Sequence, residues 1–182
     1  MKAIDTAIPE VKRIVSNLFG DERGYFMETY REQWFKDNIA DVRFVQANQS
    51  KSKHGILRGL HYQIKQPQGK LVRVIAGKVF DVAVDLRRSS STFGQWVGFN
   101  LSCSNQEQLW IPPGFAHGFF VVSESATFVY QCTDYYAPEF ERSLVWNDPA
   151  LSIDWPIAND EAPILSEKDR LANLFKQCET YS

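Results

Sequence analysis

Hydrophobic and polar residues alternate through the middle of the chain with the period of two that is typical of a β-strand. Between Leu71 and Leu86, two runs rich in β-branched residues flank Gly77 and Lys78, and this pattern predicts two strands joined by a tight hairpin turn. The second run places Phe80, Val82, Val84 and Leu86 on one face and Asp81, Ala83 and Asp85 on the other.

Shorter segments of the same character occupy much of the remaining chain. They are residues 24–30, 42–50, 59–64, 94–101, 108–111, 118–123 and 126–133. Gly, Pro, Asn and Ser separate them, and no regular alternation of strands with helices suggests a parallel α/β sheet. The pattern predicts an all-β fold, either a sandwich or a small barrel.

Two short helices are predicted at the periphery. One covers residues 31–38, and the other runs from Glu167 to about Lys176 with Ser166 as its N-cap. The apolar positions on one face of the second helix are Leu171, Leu174 and Phe175. We find no linker, internal repeat or low-complexity tract, so we expect a single domain over residues 1–182.

Composition removes several classes of function. The formal net charge of the 182 residues is −2, which gives no overall field favouring nucleic acid or a membrane surface as a partner. The longest apolar runs are far too short to span a bilayer, and the first residues lack the apolar stretch of a signal peptide. The three cysteines have no CxxC spacing. We therefore expect reduced thiols in a cytoplasmic protein.

Histidine is scarce, so each of the three can be weighed as a catalyst. His54 lies in a polar loop and is expected to be solvated, and His117 lies in an apolar turn that favours a structural role. His61 differs because Arg58, Gln63, Gln66 and Lys70 crowd around it in a segment that should form a barrel wall. Polar side chains that point into a small barrel must be paired or used.

Arg58 and His61 have opposite parity, so a regular strand would point them to opposite faces. Gly59 between them is a position for a β-bulge that re-aims one of the two side chains. A carboxylate partner would hold the tautomer of His61 and raise its basicity. Asp81, Asp85 and Asp169 are candidates, although residues 166–169 also resemble a helix capping box that would occupy Asp169.

The residues alone also bear on a metal centre and on two tyrosines. A metal centre is not favoured, because His61-Tyr62-Gln63 supplies one imidazole where a cupin-type metal site needs an HxH pair. Tyr130 shares a face with Phe128 and Cys132, and Tyr136 follows in a turn. By pattern alone, both tyrosines are expected to serve in packing rather than in proton transfer.

Eight phrases of the sequence, in order, resemble the dTDP-4-dehydrorhamnose 3,5-epimerase family over nearly the whole chain. They are GDERGYF (20–26), QANQS (46–50), LRGLHYQ (57–63), QGKLVRV (68–74), DVAVDLR (81–87), IPPGFAHGF (111–119), WNDP (146–149) and LSEKD (165–169). The resemblance implies a cupin jelly-roll barrel and a homodimer to which N-terminal strands contribute across the interface.

The resemblance also implies the reaction. The substrate would be dTDP-4-dehydro-6-deoxy-D-glucose, whose C4 ketone acidifies the hydrogens at C3 and C5. Abstraction of each proton and its return to the opposite face would give dTDP-4-dehydro-L-rhamnose, the precursor of dTDP-rhamnose. This chemistry needs a base, an acid and a donor near the C4 oxygen, and no metal or redox cofactor.

Roles follow for the positions that match the family motifs. His61 would be the general base, Asp169 its partner, Tyr130 the acid on the opposite face and Lys70 the group near the enolate oxygen. Tyr136 would stack on thymine. Substrate-binding positions would be Arg23, Glu28, Gln46, Asn48, Arg58, His117, Glu141 and Lys168.

Three rival functions remain open at this point. A relative that inverts only C3 or only C5 would use the same base and acid, so the motifs separate it poorly from the 3,5-epimerases. A keto-isomerase of the same structural neighbourhood would be expected to depart from the Tyr130 region. A non-catalytic sugar-nucleotide-binding cupin would explain the barrel but not the combination of His61, Asp169 and Tyr130.

Overall fold

A computed structural model describes residues 1–158 and 161–182 of the chain. The strands are β1 (Lys2–Asp5), β2 (Lys12–Val15), β3 (Leu18–Asp21), β4 (Gly24–Met27), β5 (Gln46–Lys53), β6 (Leu57–Gln63), β7 (Lys70–Ala76), β8 (Lys78–Asp85), β9 (Trp96–Ser102), β10 (Gln108–Ile111), β11 (Phe115–Val121), β12 (Ser125–Cys132) and β13 (Glu141–Ser143). The α-helices are α1 (Glu32–Asn38) and α2 (Glu167–Arg170), and single 3₁₀ turns cover Pro138–Phe140 and Phe175–Gln177.

Two antiparallel sheets pack face to face and confirm the predicted all-β class. One has the strand order β1-β2-β10-β7-β12-β5 and the other β13-β6-β11-β8-β9, while β3 and β4 form a separate hairpin. Side chains from both sheets fill the space between them, as expected when each strand turns alternate residues inward. This core includes Val72, Val74, Ala83, Leu109, Phe119 and Phe128.

The predicted hairpin at Gly77 is wrong, because β7 and β8 belong to different sheets. β7 pairs with β10 and β12, whereas β8 pairs with β9 and β11. Gly77 has a φ of +76°, and a Cβ there would lie 2.0 Å from the carbonyl oxygen of Ser125. Glycine therefore turns a corner between the two sheets, a conformation that other residues adopt with strain.

The alternation predicted within β8 is confirmed, although both of its faces are buried. Asp81, Ala83 and Asp85 are buried, and Ala83 packs in the core between the sheets. Val82, Val84 and Leu86 pack on the outer face beneath the segment that follows β13, including Leu151 and Trp155. The other sheet is covered in part by α1, whose Phe35 packs edge-to-face against Trp110.

The C-terminal helix is shorter than predicted. Ser166 caps it as expected, since its Oγ accepts a hydrogen bond from the backbone N–H of Asp169 at 3.2 Å. The helix ends at Arg170, and Leu171 and Leu174 are exposed. The chain instead forms a β-bridge between Asn173 and Leu144. This long-range pairing takes the backbone groups that a continued helix would have used.

Among the described residues, no helix is long and apolar enough to cross a membrane.

Candidate active site

A cavity of about 250 Å³ lies between the sheets, where β6 and β11 face β7 and β12. Its walls carry many of the polar residues that the sequence singled out, together with the stacked rings of Phe119 and Phe128. The polar lining includes Arg58, His61, Lys70, His117, Tyr130 and Glu141. A pocket in which several polar side chains converge inside a packed sandwich has the character of a ligand-binding or active site.

The predicted β-bulge at Gly59 is confirmed. Along the β6–β11 pair, His117 lies opposite His61 while Phe119 lies opposite Arg58, so three steps on β6 match two on β11. Gly59 has a φ of +124°, and a Cβ on it would lie 2.5 Å from the Cα of Gly118. The extra residue turns Arg58 and His61 to the same side, so both side chains line the cavity.

His61 is paired with Asp169, which lies 108 positions later in the chain. The two side chains meet at 2.5 Å between His61 Nε2 and Asp169 Oδ1, and Asp169 is only 2% exposed. The other carboxylate oxygen, Oδ2, accepts a hydrogen bond from the Ser166 hydroxyl at 2.8 Å. Asp169 therefore completes the cap of α2 and binds His61 at the same time, so the two interpretations of this residue are compatible.

The protonation states of this pair suit a base. Burial lowers the pKa of His61, and the hydrogen bond that His61 donates to Asp169 offsets only part of that effect, so the imidazole is neutral near pH 7. Burial alone would raise the pKa of Asp169, but its hydrogen bonds with His61 and Ser166 bring that pKa below the ordinary value. Since the carboxylate accepts the proton of Nε2, Nδ1 keeps its lone pair.

Tyr130 reaches the cavity from the opposite sheet. It lies on β12 in register with Asn48 of β5 and Val72 of β7, and its ring packs against the core between the sheets. Burial raises the pKa of its hydroxyl, which therefore stays protonated at neutral pH. Lys70 of β7 lines the same cavity, and burial lowers the pKa of its ammonium group.

The other two carboxylates proposed as partners of His61 bind elsewhere. Asp81 is fully buried and accepts from His117 Nε2 through both oxygens, at 3.1 and 2.9 Å. Asp85 bonds with Arg87 and the Thr92 hydroxyl. The pairing of Asp81 with His117 was not predicted, although the inward position of Asp81 on β8 was the signal that could have indicated it.

A cluster of charged and aromatic side chains lies at the edge of the cavity. Glu141 accepts hydrogen bonds from the ammonium group of Lys168 at 2.7 Å and from the hydroxyl of Tyr136 at 3.0 Å. Gln46 accepts from the backbone N–H of Tyr136 at 2.9 Å and donates to Asn48 at 3.0 Å. These five predicted substrate-binding residues are thus joined in one hydrogen-bonded group.

Two predicted substrate-binding residues lie away from both the cavity and this hydrogen-bonded group. Arg23 is in the exposed β3–β4 hairpin, where it pairs with Asp21, and Glu28 follows that hairpin and pairs with Arg31. His54, expected to be idle, is exposed and contacts the backbone oxygen of Val122. Over residues 1–158 and 161–182, no group of three or more His, Cys, Asp or Glu side chains is arranged to hold a metal ion.

Comparisons with known proteins agree on one family. The family model described as dTDP-4-dehydrorhamnose 3,5-epimerase matches residues 5–177. Among curated relatives with that name, the protein of Neisseria gonorrhoeae is 58% identical over 179 residues, which are 98% of this chain and 54% of the relative. The chain therefore spans about half the length of that relative. The Pseudomonas aeruginosa protein of the same name is 57% identical over 182 residues, with 100% of this chain and 99% of the relative covered.

A solved structure extends the similarity to three dimensions. The dTDP-6-deoxy-D-glucose-3,5-epimerase of Legionella pneumophila, in complex with dTDP-4-keto-L-rhamnose, superposes with a TM-score of 0.95 at 52% identity. The match covers 98% of this chain and 94% of that one. The arrangement of two facing sheets is thus shared over nearly the full length of both proteins.

Proposed function

We propose that this chain, which belongs to the dTDP-4-dehydrorhamnose 3,5-epimerase family, inverts C3 and C5 of dTDP-4-dehydro-6-deoxy-D-glucose to give dTDP-4-dehydro-L-rhamnose. The observation that carries the proposal is the pocket between the sheets. A histidine–aspartate pair stands on one wall and a partly buried, protonated tyrosine on the other, as inversion at a carbon requires.

His61 is assigned the first proton transfer. Its neutral imidazole is oriented by Asp169, and the free Nδ1 would take the proton from the carbon next to the C4 ketone. The electron pair of the broken C–H bond moves into the ring and onto the C4 oxygen, which forms an enolate. Asp169 then faces the imidazolium cation, whose charge it stabilises in a water-poor site.

Lys70 is assigned to the enolate. It stands in the same cavity as His61, and the other two cationic side chains of the lining, Arg58 and Lys168, are assigned to binding. A donor held in place before the reaction stabilises such a charge without reorganisation of solvent. This contribution rises as water is excluded, because the effective dielectric constant falls.

Tyr130 is assigned the second proton transfer. Its hydroxyl would donate to the carbon from the face opposite His61, and the enolate electron pair returns to form the new C–H bond. The raised pKa of the hydroxyl supports this role, since only the protonated form can donate. The same pair of groups serves C3 and C5, because both carbons flank the ketone. Between the two inversions, His61 releases its proton to solvent and the Tyr130 phenolate takes one up.

The remaining residues are assigned to binding. Arg58 and His117 suit the diphosphate, and the guanidinium of Arg58 is able to hold two oxygens at once. Tyr136 would stack on the thymine, with Gln46, Asn48, Glu141 and Lys168 around it. Arg58, His117, Tyr136, Glu141 and Lys168 line the cavity. Gln46 is hydrogen-bonded to Tyr136, and Asn48 to Gln46.

A second copy of the chain would complete the binding site. The β3–β4 hairpin exposes large apolar side chains, among them Phe19 at 63% and Phe26 at 70%, which is unusual for a surface that stays in water. Ile75 and Val45 are also exposed on the six-stranded sheet or beside it. In a homodimer that covers these surfaces, the hairpin would carry Arg23 and Glu28 to the partner's pocket. Size-exclusion chromatography with light scattering tests the dimer.

Incubation with dTDP-4-dehydro-6-deoxy-D-glucose in D2O, followed by mass spectrometry and proton NMR, tests the reaction. Deuterium at both C3 and C5, with a product that a partner reductase converts to dTDP-rhamnose, is the expected result. Label at one carbon would identify a single-centre epimerase instead. Bound substrate without label would point to a non-catalytic binding protein. The assay is run with and without a chelator, because the proton transfers assigned to His61 and Tyr130 need no metal ion.

A further inference from the structure

Gln63 lies on β6 two residues after His61 and is only 4% exposed. Its side-chain nitrogen donates to the carbonyl of Tyr135 at 3.2 Å and to the carbonyl of Gln66 at 2.8 Å. Its side-chain oxygen accepts from the backbone N–H of Ala137 at 2.9 Å. One buried amide therefore holds the backbone on both sides of Tyr136, and none of the roles assigned above uses it.

Tyr136 is held in place and yet open to solvent. Its own backbone N–H bonds with Gln46, its hydroxyl bonds with Glu141, and 51% of the residue is exposed. Fixing the backbone and side chain of a loop residue costs conformational entropy, whether this happens on folding or on ligand binding. Here the backbone and side chain are already restricted in the free protein, while the ring remains accessible for stacking.

We propose that Gln63 is a positioning residue for the nucleobase end of the substrate, acting through Tyr136. The inference rests on the proposed function, in which Tyr136 stacks on thymine. Gln63 orders the loop around Tyr136 before binding, so the substrate does not have to supply the free energy for that ordering. Because β6 also carries His61, the same strand sets both the base of the reaction and the site for the nucleotide.

The consequence of removing the amide follows from its three hydrogen bonds. In Gln63→Met, the N–H of Ala137 and the carbonyls of Tyr135 and Gln66 lose their partner at nearly constant side-chain volume. The loop lies at the surface, so it can move to hydrate these groups. Nucleotide binding must then restore the ordered loop, and its affinity falls by about five- to tenfold, the range expected for one net hydrogen bond or slightly more.

The experiment compares ligands with and without the base. Dissociation constants for dTDP and for inorganic pyrophosphate are measured by NMR titration on wild type and Gln63→Met, together with kcat and KM in the exchange assay. We expect weaker dTDP binding, a raised KM, and pyrophosphate binding and kcat within about twofold of wild type. In a Tyr136→Ala background, Gln63→Met should weaken dTDP binding no further, because its effect passes through that ring.

Asp148→Asn is the matched control, because it also alters a buried side chain that holds a loop through hydrogen bonds with the backbone. Asp148 accepts hydrogen bonds from the backbone of Ala150 and Phe175, in the segment outside the five-stranded sheet. We expect it to lower thermal stability and leave the affinity for dTDP unchanged. If Gln63→Met does not fold, Gln63→Glu keeps the acceptor oxygen and the side-chain length, removes both donors, and should show the same selective loss.

Several outcomes would overturn the inference while leaving the epimerase assignment intact. These are equal losses of dTDP and pyrophosphate affinity, a fall in kcat with unchanged dTDP affinity, or full additivity of Gln63→Met with Tyr136→Ala. Failure of the wild-type protein to exchange the sugar protons would instead refute the proposed function. The two failures are therefore distinguished in one set of measurements.

Discussion

Replacement of Asp169 by Asn tests the assignment of His61 as a base oriented by a carboxylate. The substitution keeps the size of the side chain and keeps an oxygen for the Ser166 hydroxyl. It removes the negative charge that lies 2.5 Å from Nε2 of His61 in a site where Asp169 is almost fully buried. The cap of α2 is preserved in large part, so the change acts mainly on the imidazole.

The magnitude follows from the strength of that contact. A hydrogen bond to a charged group contributes about 1.5–3 kcal/mol, and about 1.4 kcal/mol corresponds to a tenfold change in rate. Loss of the carboxylate therefore costs roughly ten- to 150-fold in kcat/KM. It also lowers the pKa of His61 further, since burial and the neighbouring charges of Lys168 and Lys70 act unopposed.

Deuterium incorporation at C3 and C5, measured by NMR between about pH 4 and 9, gives both the loss in kcat/KM and the change in the pKa of His61. The acid limb of the kcat/KM profile reports the protonation of the base in the free enzyme. Asp169 raises the pKa of His61, so its replacement should move that limb to lower pH while the plateau falls. Glu167→Gln is the control, because it removes the same charge from an exposed position of the same helix.

Two results with Asp169→Asn would refute this reasoning. One is an Asp169→Asn variant with a rate within about twofold of wild type. The other is an unchanged acid limb despite a lower plateau, which would mean that the group titrating in that limb is not His61. An equal loss in Glu167→Gln would assign the effect to helix charge rather than to the contact with His61.

Three further predictions can be measured on the same protein. His61→Ala should lose at least the roughly 10²- to 10⁴-fold contribution of a positioned general base with folding intact, and an exchange rate equal to wild type would refute the assignment. Tyr130→Phe should lose inversion more than proton exchange, because only reprotonation needs the hydroxyl; equal losses would contradict the division of roles. Asp85 is a test of stability: its hydrogen bonds with Arg87 and Thr92 outweigh burial and lower its pKa to about 2. Asp85→Asn should therefore cost about 2 kcal/mol of unfolding free energy above pH 4, and the difference from wild type should shrink as the pH falls toward 2, as followed by urea denaturation.

The local sequence pattern predicted strands and turns better than it predicted which strands pair with one another. The predicted strand at residues 108–111 has the same bounds in the structure. The bulge at Gly59 and the cap at Ser166 follow from residue types with strong local preferences. The hairpin at Gly77 failed because a glycine between two strand-like runs allows a turn within one sheet or a corner between two sheets. Which of these forms depends on the strands available for pairing far along the chain.

In the active site, too, local pattern predicted single residues but not their distant partners. The residues alone single out His61 but leave its partner open among Asp81, Asp85 and Asp169, with a capping pattern that counts against Asp169. The resemblance to a known family was needed to choose. Gln63 was noted only as one of several polar side chains near His61. Its three hydrogen bonds join residues that lie as far as 74 positions away, so no local pattern indicates them.

The sequence by itself determined the all-β class, the period-two faces of the strands and the positions where glycine or a capping serine is required, because these depend on interactions between near neighbours. The tertiary structure alone decided that Asp81 binds His117, that β7 and β8 lie in separate sheets, and that α2 stops at Arg170. Each of these outcomes depends on contacts between distant segments, whose geometry is defined only once the two sheets have packed.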